Sequence, residues 1–443
     1  MTVKVGVVSL GCPKNLVDSE VMLGFLTKQG YEITNREDAA DVLIVNTCGF
    51  IEAAKEESIH QILELAKWKS EGQCHGLIVT GCLAQRYSNE LLAELPEIDA
   101  VVGTGEFSRI AQVVEQVLQG KRVAFIDQPQ FIYGHQTPRR LTTPRHYAYL
   151  KIAEGCDNRC SYCIIPAIRG NYRSRPLESV LAEAEALVGQ GVKEIILIAQ
   201  DTTCYGVDIY GKSRLPDLLR SLARLKNLEW VRWLYGYPGR ITDELVETMA
   251  SEPKVCNYLD LPLQHADPRV LARMNRPVNL EPVKALLHKV RQRLPDVAIR
   301  TSFIVGFPGE TELEFAHLLN FVQEMRFDRV GVFTYSAEEN TPAASLPEQV
   351  EEEIKQRRYH QLMQLQQDIS RQKNQAWIGR TVPVLIEGQT EGDSRMYYGR
   401  TERDAPGIDG MVYIPSAPVQ AGDMVLVRIT GATEYDLIGE VVL

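Results

Sequence analysis

Short apolar runs alternate with longer amphipathic segments along most of the chain, and this alternation restricts the folds that it can adopt. Over residues 1–120 the runs VKVGVVSL, DVLIVNTC, GLIVTGC and DAVVG are separated by helical patterns at 17–28, 51–69 and 107–118. Short, continuously apolar runs are typical of strands buried on both faces of a parallel sheet. Residues 1–120 are therefore predicted to form a doubly wound α/β domain.

The same alternation resumes after a segment rich in proline and threonine at 121–141, which is predicted to be a linker. Residues 142–373 contain six further strand patterns: AYLKIA, EIILIA, WVRWLYG, NYLDLPL, AIRTSFIVG and RVGVFTY. Six strand–helix repeats fit a partial (β/α)6 barrel, whose reaction centre lies at the carboxyl ends of the strands. Residues 374–443 have short strands with glycine and proline turns, and are predicted to form a small antiparallel β-barrel of the oligonucleotide-binding class. The chain is thus predicted to be an α/β multidomain protein.

Composition excludes two broad classes of protein. No run approaches the roughly 20 apolar residues that a membrane span needs, and the apolar part of the N-terminus is too short for a secretory signal. We therefore expect a cytoplasmic protein with no membrane partner, in which clustered cysteines bind metal or carry out redox chemistry. The net charge of -10 argues against a general affinity for nucleic acid.

Three of the nine cysteines lie within eight positions, directly after the first strand of the predicted barrel. Cys156, Cys160 and Cys163, here called the barrel trio, have no fourth cysteine or suitably spaced histidine nearby. A structural zinc site usually has four ligands, so a zinc knuckle is the weaker interpretation. Three thiolates on a cubane iron–sulfur cluster leave one iron open, which predicts a catalytic cluster.

A second group, Cys12, Cys48 and Cys82, is here called the sheet trio, because each member follows a predicted strand of the N-terminal domain. Strands of an open α/β sheet direct their carboxyl ends to one crevice, so these side chains are expected to converge. The alternative is three buried core cysteines, since cysteine is among the most buried residue types. Their position just beyond the apolar runs favours a second metal site. The remaining cysteines are interpreted as structural: Cys74, Cys204 and Cys256.

The spacing of the barrel trio, with Tyr162 before its last cysteine, resembles the signature of the radical S-adenosylmethionine family. In that family the open iron binds S-adenosylmethionine, which one-electron reduction cleaves to methionine and a 5'-deoxyadenosyl radical. The resemblance gives the barrel trio a catalytic role and makes Tyr162 part of the cofactor site. It places Gln200 and Asp201 at the methionine end or the ribose, and Gly306 and Gly309 at the adenine, where glycine allows close approach of the backbone. A plain strand–helix turn is the alternative for the two glycines.

The three predicted domains together resemble the methylthiotransferases over essentially the whole chain. In that family a second cluster with an open iron carries or delivers sulfur. One S-adenosylmethionine supplies the methyl group, and another supplies the radical that removes hydrogen from an unactivated carbon. The resemblance implies two [4Fe–4S] clusters, one held by each trio, and identifies residues 374–443 as a TRAM module. It also implies an electron donor such as flavodoxin or ferredoxin, and a sulfur source.

Two branches of this family are known. The motifs SLGCPKNLVDSE at 9–20 and IAQDTTCYG at 198–206 resemble the branch that modifies the β-carbon of an aspartate in a small-subunit ribosomal protein. The other branch modifies adenosine in transfer RNA, and usually has Gln and Met where Pro13 and Lys14 stand here. The resemblance implies a basic ribosomal protein as partner, free or on the ribosome, and no nucleic-acid substrate. Modification of transfer RNA stays the alternative activity, and an iron–sulfur carrier or RNA-binding adaptor is the non-enzyme alternative.

Two charged segments bear on the choice of substrate. The segment 169–176 carries three arginines near the barrel trio, which either hold an acidic substrate side chain, contact the cofactor carboxylate or form a solvated loop. From residue 375 onward there are ten acidic and five basic residues, and the acidic ones include Glu391, Asp393 and Asp409. Such a module repels phosphates and complements a basic protein, so we expect it to bind the ribosomal protein. The alternative is that this acidity only aids solubility.

Overall fold

The computed structural model describes residues 2–276, 279–391, 396–415 and 418–442, and its N-terminal domain is built on a parallel sheet. The strands of this domain are β1 (Lys4–Ser9), β2 (Glu32–Thr34), β3 (Val42–Thr47), β4 (Gly76–Gly81), β5 (Ala100–Val102) and β6 (Val123–Phe125). Its helices are α1 (Pro13–Lys28), α2 (Glu52–Glu71), α3 (Cys82–Arg86), α4 (Ser88–Glu94) and α5 (Ile110–Leu118). The strands lie in the order β2-β1-β3-β4-β5-β6, and each neighbouring pair is parallel.

The predicted doubly wound domain is confirmed in its centre, and the sequence pattern missed its edges. Every residue of β3 and β4 is buried, which explains their unbroken apolar runs. The strands β2 and β6 were missed because each is short and partly exposed, so neither shows a long apolar run. Since β6 ends at Phe125, the sheet continues past the predicted boundary at residue 120 into the segment predicted as a linker.

The central domain alternates strands and helices, as predicted. Its strands are β7 (Tyr147–Lys151), β8 (Ala153–Glu154), β9 (Arg173–Ser174), β10 (Glu194–Ile198), β11 (Trp230–Trp233), β12 (Tyr258–Asp260), β13 (Ala298–Val305) and β14 (Arg329–Thr334). Its helices are α6 (Ile165–Arg169), α7 (Leu177–Gly189), α8 (Val207–Tyr210), α9 (Leu215–Ala223), α10 (Asp243–Ser251), α11 (Pro268–Arg273), α12 (Leu280–Arg293), α13 (Glu312–Met325) and α14 (Glu352–Gln375). Parallel strands form the sheets β11-β10-β7 and β12-β13-β14, which a parallel bridge between Val231 and Val255 connects. The partial (β/α)6 barrel is therefore confirmed.

The C-terminal module is a closed barrel of mixed strand direction. Its strands are β15 (Thr381–Gln389), β16 (Tyr397–Arg400), β17 (Val412–Ile414), β18 (Met424–Ala432) and β19 (Leu437–Val441). Within the described residues five strands close in the order β15-β16-β17-β19-β18, and β17 and β19 are parallel. The prediction of an antiparallel barrel is wrong for this pair. A closed barrel with an odd number of strands cannot alternate direction throughout, so one neighbouring pair must be parallel.

Buried ion pairs fix this module to the amino ends of the central strands. Glu194 begins β10 and is fully buried between two arginines, one from β11 and one from the module. The Nε of Arg232 lies 2.7 Å from its Oε1, and the Nη2 of Arg400 lies 2.7 Å from its Oε2. The module therefore lies at the opposite end of the barrel from the carboxyl ends of the strands.

This interface changes the expectation that the module's acidic residues face a partner protein. The side chain of Asp409 is only 2% exposed, accepts a hydrogen bond from the Tyr258 hydroxyl at the start of β12, and faces Arg300. Asp409 therefore stabilises the interface with the barrel and is not available to a partner. Glu391 is exposed, and Asp393 lies outside the described residues.

The long helix α14 links the central domain to the module. It is polar, and the Nδ2 of Asn374 near its end donates to the backbone oxygens of Thr433 and Glu434 in the module, at 3.2 Å each. Among the residues that the structure describes, no helix is long and apolar enough to cross a bilayer.

Candidate functional site

The barrel trio lies on a loop that leaves the carboxyl end of the first barrel strand. After β7 and β8, Gly155 turns the chain with a φ of +76°. A Cβ at Gly155 would lie 2.1 Å from the backbone oxygen of Asn171, so this turn requires glycine. The amide of Cys156 then donates to the oxygen of Gly170 at 3.1 Å, which folds the end of the loop back to its beginning. These local turns fix the start of the loop, and its later part is held by the barrel, because the amide and hydroxyl of Ser161 donate to the backbone oxygens of Met274 and Arg273.

Burial dominates the electrostatics of the barrel trio. Cys156 and Cys160 are buried, and Cys163 is partly buried. Burial raises the pKa of Cys156 to about 11 and that of Cys163 to about 12, and the nearby Cys160 thiol acts in the same direction. The Nη1 of Arg276 donates to the Sγ of Cys160 at 3.6 Å. Deprotonation of Cys156 and Cys163 is favoured by further positive charge, which the irons of a cluster supply.

The sheet trio is brought together by three neighbouring strands. Cys12 follows β1 and precedes α1, Cys48 follows β3, and Cys82 follows β4 as the first residue of α3. The strand order reverses between β1 and β3, the kind of switch point at which open α/β sheets bind ligands. A Cβ on Gly11 would lie 3.3 Å from the Sγ of Cys48, so the backbone before Cys12 packs directly against Cys48.

Asn15, which the sequence analysis did not single out, connects the ends of these strands. It is fully buried, and its Nδ2 donates to the backbone oxygens of Leu10 at 3.1 Å and Thr47 at 3.0 Å. The thiol of Cys82 donates to its Oδ1 at 3.7 Å. Its position three residues after Cys12 is the sole sequence signal for this role, because its partners are distant in the chain.

The thiols of the sheet trio differ in their electrostatic surroundings. Burial acts to raise the pKa of Cys12, but the positive charges of Lys14 and Arg169 outweigh it, and the net effect lowers this pKa. Burial raises the pKa of Cys48 to about 12, and the Cys82 thiol adds to this effect. Burial also raises the pKa of Cys82, against the influence of Arg169. Cys12 is therefore the member most easily converted to a thiolate.

A buried ionic network beside the sheet trio joins the N-terminal domain to the barrel. Arg169 belongs to α6, the helix after the barrel trio, and its Nη2 donates to the Sγ of Cys82 at 3.6 Å. Its Nη1 lies 3.0 Å from a carboxylate oxygen of Asp18 and 3.0 Å from one of Glu154. Lys151 of β7 pairs with the same two carboxylates. The network therefore connects α1 of the N-terminal domain to the start of the barrel. Beside it, Cys82 packs against Ile164, the residue that follows Cys163 of the barrel trio.

The residues proposed for the methionine and ribose end lie beside this network. Gln200 follows β10, and its Nε2 donates to Glu154 at 3.1 Å, while its buried Oε1 has no hydrogen-bond partner among the described residues. Asp201 accepts from the Nδ2 of Asn158 at 2.7 Å and pairs with Arg240. The structure thus places Gln200 and Asp201 next to the barrel-trio loop, with one buried amide oxygen left for a ligand.

The other predicted cofactor residues lie around the end of β13: the two glycines follow this strand, and Tyr162 of the barrel-trio loop packs beside it. Tyr162 packs in a small apolar cluster that includes Phe307 and Tyr335. Gly306 and Gly309 have φ values of +71° and +74°, which favour glycine for conformational reasons alone. A Cβ on Gly306 would lie 2.3 Å from the side chain of Lys355. The side of Gly306 on which other residues carry a side chain therefore faces α14. The strand–helix turn therefore accounts for both glycines by itself, and contact with adenine stays a prediction.

The three arginines of the segment 169–176 are not equivalent. Arg169 and Arg175 are buried, and carboxylates neutralise both, since Arg175 lies 2.6 Å from Glu183. Arg173 donates to the backbone oxygens of Asn171 at 2.6 Å and Arg169 at 3.3 Å. Arg169 and Arg175 are therefore engaged within the protein and are not free to hold an acidic substrate.

The donor chemistry of both trios fits an iron–sulfur cluster better than a single ion. Among the described residues, no three His, Cys, Asp or Glu side chains are close enough to hold one metal ion. A cubane cluster distributes its cysteine ligands over separate irons, so these ligands lie farther apart than those of a zinc ion. Three thiols after the first strand of a partial (β/α)6 barrel, facing a second set of three, define a radical S-adenosylmethionine enzyme with an additional cysteine site.

Comparisons with known proteins agree with this class. Residues 150–322 match the radical SAM superfamily, residues 378–442 match the TRAM domain, and residues 4–103 match the uncharacterized protein family UPF0004. The ribosomal protein uS12 methylthiotransferase RimO of Heliobacterium modesticaldum is 54% identical over 100% of this chain and 96% of its own length. The protein of the same name from Desulforamulus reducens is 56% identical over 98% of this chain and 99% of its own. The chain belongs to the RimO family of radical SAM methylthiotransferases.

Similarity to solved structures is more distant and concerns the fold. The radical S-adenosylmethionine methyltransferase TsrM from Kitasatospora setae, with cobalamin and a [4Fe–4S] cluster bound, has a TM-score of 0.56 at 17% identity, over 77% of each chain. The cobalamin-dependent S-adenosylmethionine radical enzyme OxsB has a TM-score of 0.51 at 12% identity, over 77% of this chain and 54% of OxsB. Both share the barrel architecture described above.

Proposed function

We propose that this chain methylthiolates ribosomal protein uS12 at the β-carbon of an aspartate. Two observations support this function: the full-length similarity to proteins named uS12 methylthiotransferases, and the meeting of two three-cysteine sites at one junction. The second observation carries the proposal, because sulfur insertion needs a radical source and a sulfur-bearing site within reach of one carbon. Arg169 contacts one trio and follows the other directly, so the two sites share a boundary.

The cysteines fit two [4Fe–4S] clusters, one on the barrel trio and one on the sheet trio. Each set supplies three thiols, which leaves one iron of each cluster free for a ligand. Each set also has one arginine donating to a cysteine sulfur, Arg276 at Cys160 and Arg169 at Cys82, both at 3.6 Å. Hydrogen bonds to cluster sulfurs raise the reduction potential, so these arginines tune the two clusters.

S-adenosylmethionine fits beside the barrel trio. When bound and reduced there, the cluster and S-adenosylmethionine supply the radical that removes hydrogen from the substrate carbon. The chain's own residues orient the cofactor: Gln200 through its unpartnered Oε1, Asp201 at the ribose, Tyr162 beside the cluster loop, and the turn at 306–309 at the adenine. The buried surroundings of these residues exclude water from the reactive species.

The reaction requires further partners. Electrons come from a donor such as flavodoxin or ferredoxin, and sulfur comes from a source that restores the sheet-trio site after each transfer. The substrate protein is a basic ribosomal component, free or on the ribosome, and no nucleic acid is modified.

The decisive experiment gives reduced enzyme, S-adenosylmethionine and a sulfide source either purified uS12 or transfer RNA under anaerobic conditions. Intact-protein mass spectrometry should show one methylthio group in place of one hydrogen, and fragmentation should place it on an aspartate. A matched reaction uses Cys156→Ala, which should give no product. If uS12 stays unmodified while transfer RNA gains the group, the chain acts on RNA instead.

A further inference from the structure

One positively charged side chain at the junction of the two trios, noted above only for its effect on Cys12, has no carboxylate partner among the contacts described. Lys14 stands in the first turn of α1, two positions after Cys12. Among the described residues, no carboxylate oxygen lies within 4.0 Å of its Nζ. The residue is partly exposed, so its side chain is not sealed from a ligand.

Lys14 projects from the N-terminal domain onto the catalytic barrel. Its Nζ lies 3.3 Å from the centre of the Tyr235 ring, which follows β11 in the barrel. An ammonium group over an aromatic face is held in place, but its charge is not neutralised. The ammonium is thus positioned between the domains, and its anionic neighbour within the protein is the Cys12 thiol rather than a carboxylate.

The barrel holds Tyr235 in a strained conformation to make this contact. Its φ is +65°, a value that aromatic residues rarely adopt and that costs about 1–3 kcal/mol. Three hydrogen bonds fix it: its amide donates to Asp260 at 2.8 Å, and the amide and hydroxyl of Thr202 donate to its oxygen at 3.1 and 3.3 Å. Because Thr202 follows Asp201, the ring is tied to the segment proposed to bind the cofactor.

The other cations at this junction already have partners. Asp18 and Glu154 neutralise Arg169 and Lys151, and Asp201 pairs with Arg240. A partly buried ammonium is stabilised by an opposite charge, and the substrate of the proposed reaction carries a carboxylate one bond from its reacting carbon.

We propose that Lys14 binds the side-chain carboxylate of the target aspartate and so holds its β-carbon between the barrel trio and the sheet trio. This rests on the function proposed above. The competing role for Lys14 is to balance negative charge on the sulfurs near Cys12. The two roles differ in one respect: only carboxylate binding distinguishes an aspartate substrate from its asparagine counterpart.

The test measures binding of two peptides to the full-length, cluster-loaded chain. One peptide contains the uS12 target segment, and the other has Asn in place of the target Asp; fluorescence anisotropy gives both Kd values. Wild-type protein should bind the Asp peptide about tenfold more tightly, the typical contribution of a hydrogen bond to a charged group. Lys14→Gln should abolish this preference, and Lys14→Arg should restore part of it. Lys28→Gln, at the exposed end of the same helix, should keep it.

Equal weakening of both peptides by Lys14→Gln, or an unchanged preference in that variant, would overturn the proposal. Wild-type protein without preference for the Asp peptide would overturn it as well. Iron content and 5'-deoxyadenosine formation, measured on the same samples, show whether each variant is folded and loaded. Failure of the proposed function would appear separately, as the absence of a methylthio group on intact uS12 treated with wild-type protein.

Discussion

The two cysteine trios present the same three thiols but are built in opposite ways. The barrel trio comes from one loop, closed by a glycine turn and by the hydrogen bond from Cys156 to Gly170. The sheet trio comes from three strands and depends on Asn15 and on Arg169 of the other domain. All three thiols of the first site therefore come from one local loop, which the rest of the barrel supports through contacts such as Arg276 to Cys160. The second site forms only when the sheet is complete and docked on the barrel. Perturbing the fold should damage the two sites unequally.

The largest expected effect separates the trios by their chemistry. Changing Cys156, Cys160 and Cys163 together to Ala should abolish 5'-deoxyadenosine formation and all methylthiolated product. Iron should fall from about eight per chain to about four, since each cubane holds four. Iron analysis and chromatography of the reaction mixture provide the measurements. A loss of all iron, or of none, would contradict two independent sites.

The complementary change tests the sulfur-bearing role of the sheet trio. Single Ala variants of Cys12, Cys48 or Cys82 should still form 5'-deoxyadenosine, because the barrel trio is intact. Methylthiolated uS12 should be absent from the mass spectrum. Product from these variants would remove the N-terminal domain from sulfur delivery.

The next effect tests whether the sheet trio depends on the barrel. Arg169→Gln leaves Asp18 and Glu154 with one fewer buried counter-charge, and should lower the free energy of unfolding by about 3–5 kcal/mol. Denaturant titration measures the loss. Arg173→Gln, a change in the same segment that removes hydrogen bonds to backbone oxygens but no ion pair within the described residues, should cost only about 1 kcal/mol. Equal effects from the two variants would show that the network does not stabilise the junction.

A smaller loss of stability is expected when only the contacts between the ends of β1 and β3 are removed. Asn15→Ala removes the hydrogen bonds to Leu10 and Thr47 and should cost about 1–3 kcal/mol. It should reduce iron at the sheet trio and leave 5'-deoxyadenosine formation near the wild-type rate. If both trios lost iron equally, the sites would not be as separate as their construction indicates.

The smallest effect concerns reactivity and leaves stability unchanged. In the cluster-free chain Cys12, Cys48 and Cys163 are all partly exposed, but only Cys12 has a lowered pKa, while those of Cys48 and Cys163 are raised to about 12. A thiol reacts as its thiolate, whose fraction rises as pH approaches the pKa from below. Alkylation near pH 8 should therefore label Cys12 first, and labelling of the other two should increase with pH. Peptide mass spectrometry after timed quenching decides the order.

The sequence predicted the elements that carry strong local patterns. The central strands of the N-terminal sheet and all six barrel strands are apolar runs. Both trios were predicted as metal sites from spacing or from position after a strand, and the structure places their cysteines at those strand ends. Edge strands such as β2 and β6 are too short to show a repeating pattern of apolar residues. The parallel pair β17–β19 follows from closure of the barrel.

Long-range partnerships at the site were beyond sequence reasoning. Asn15 and Arg169 act on residues that are distant in the chain, and nothing in their immediate neighbours indicates those contacts. The arginines at 169–176 were considered as substrate ligands because their internal carboxylate partners, Asp18 and Glu183, lie far away in sequence or on another element.

Placement of the TRAM module at the amino ends of the strands makes the barrel a spacer of fixed length. The five residues of β10, from Glu194 at the module to the end that precedes Gln200, extend over about 16 Å at 3.3 Å per residue. A partner that touches both the module and the cysteine sites must span at least that distance, and the buried pairs at Glu194 prevent the module from swinging closer. The distance between the part of the partner that binds the module and each of its side chains then decides which side chain arrives at the reacting centre. The affinity of the module does not decide it.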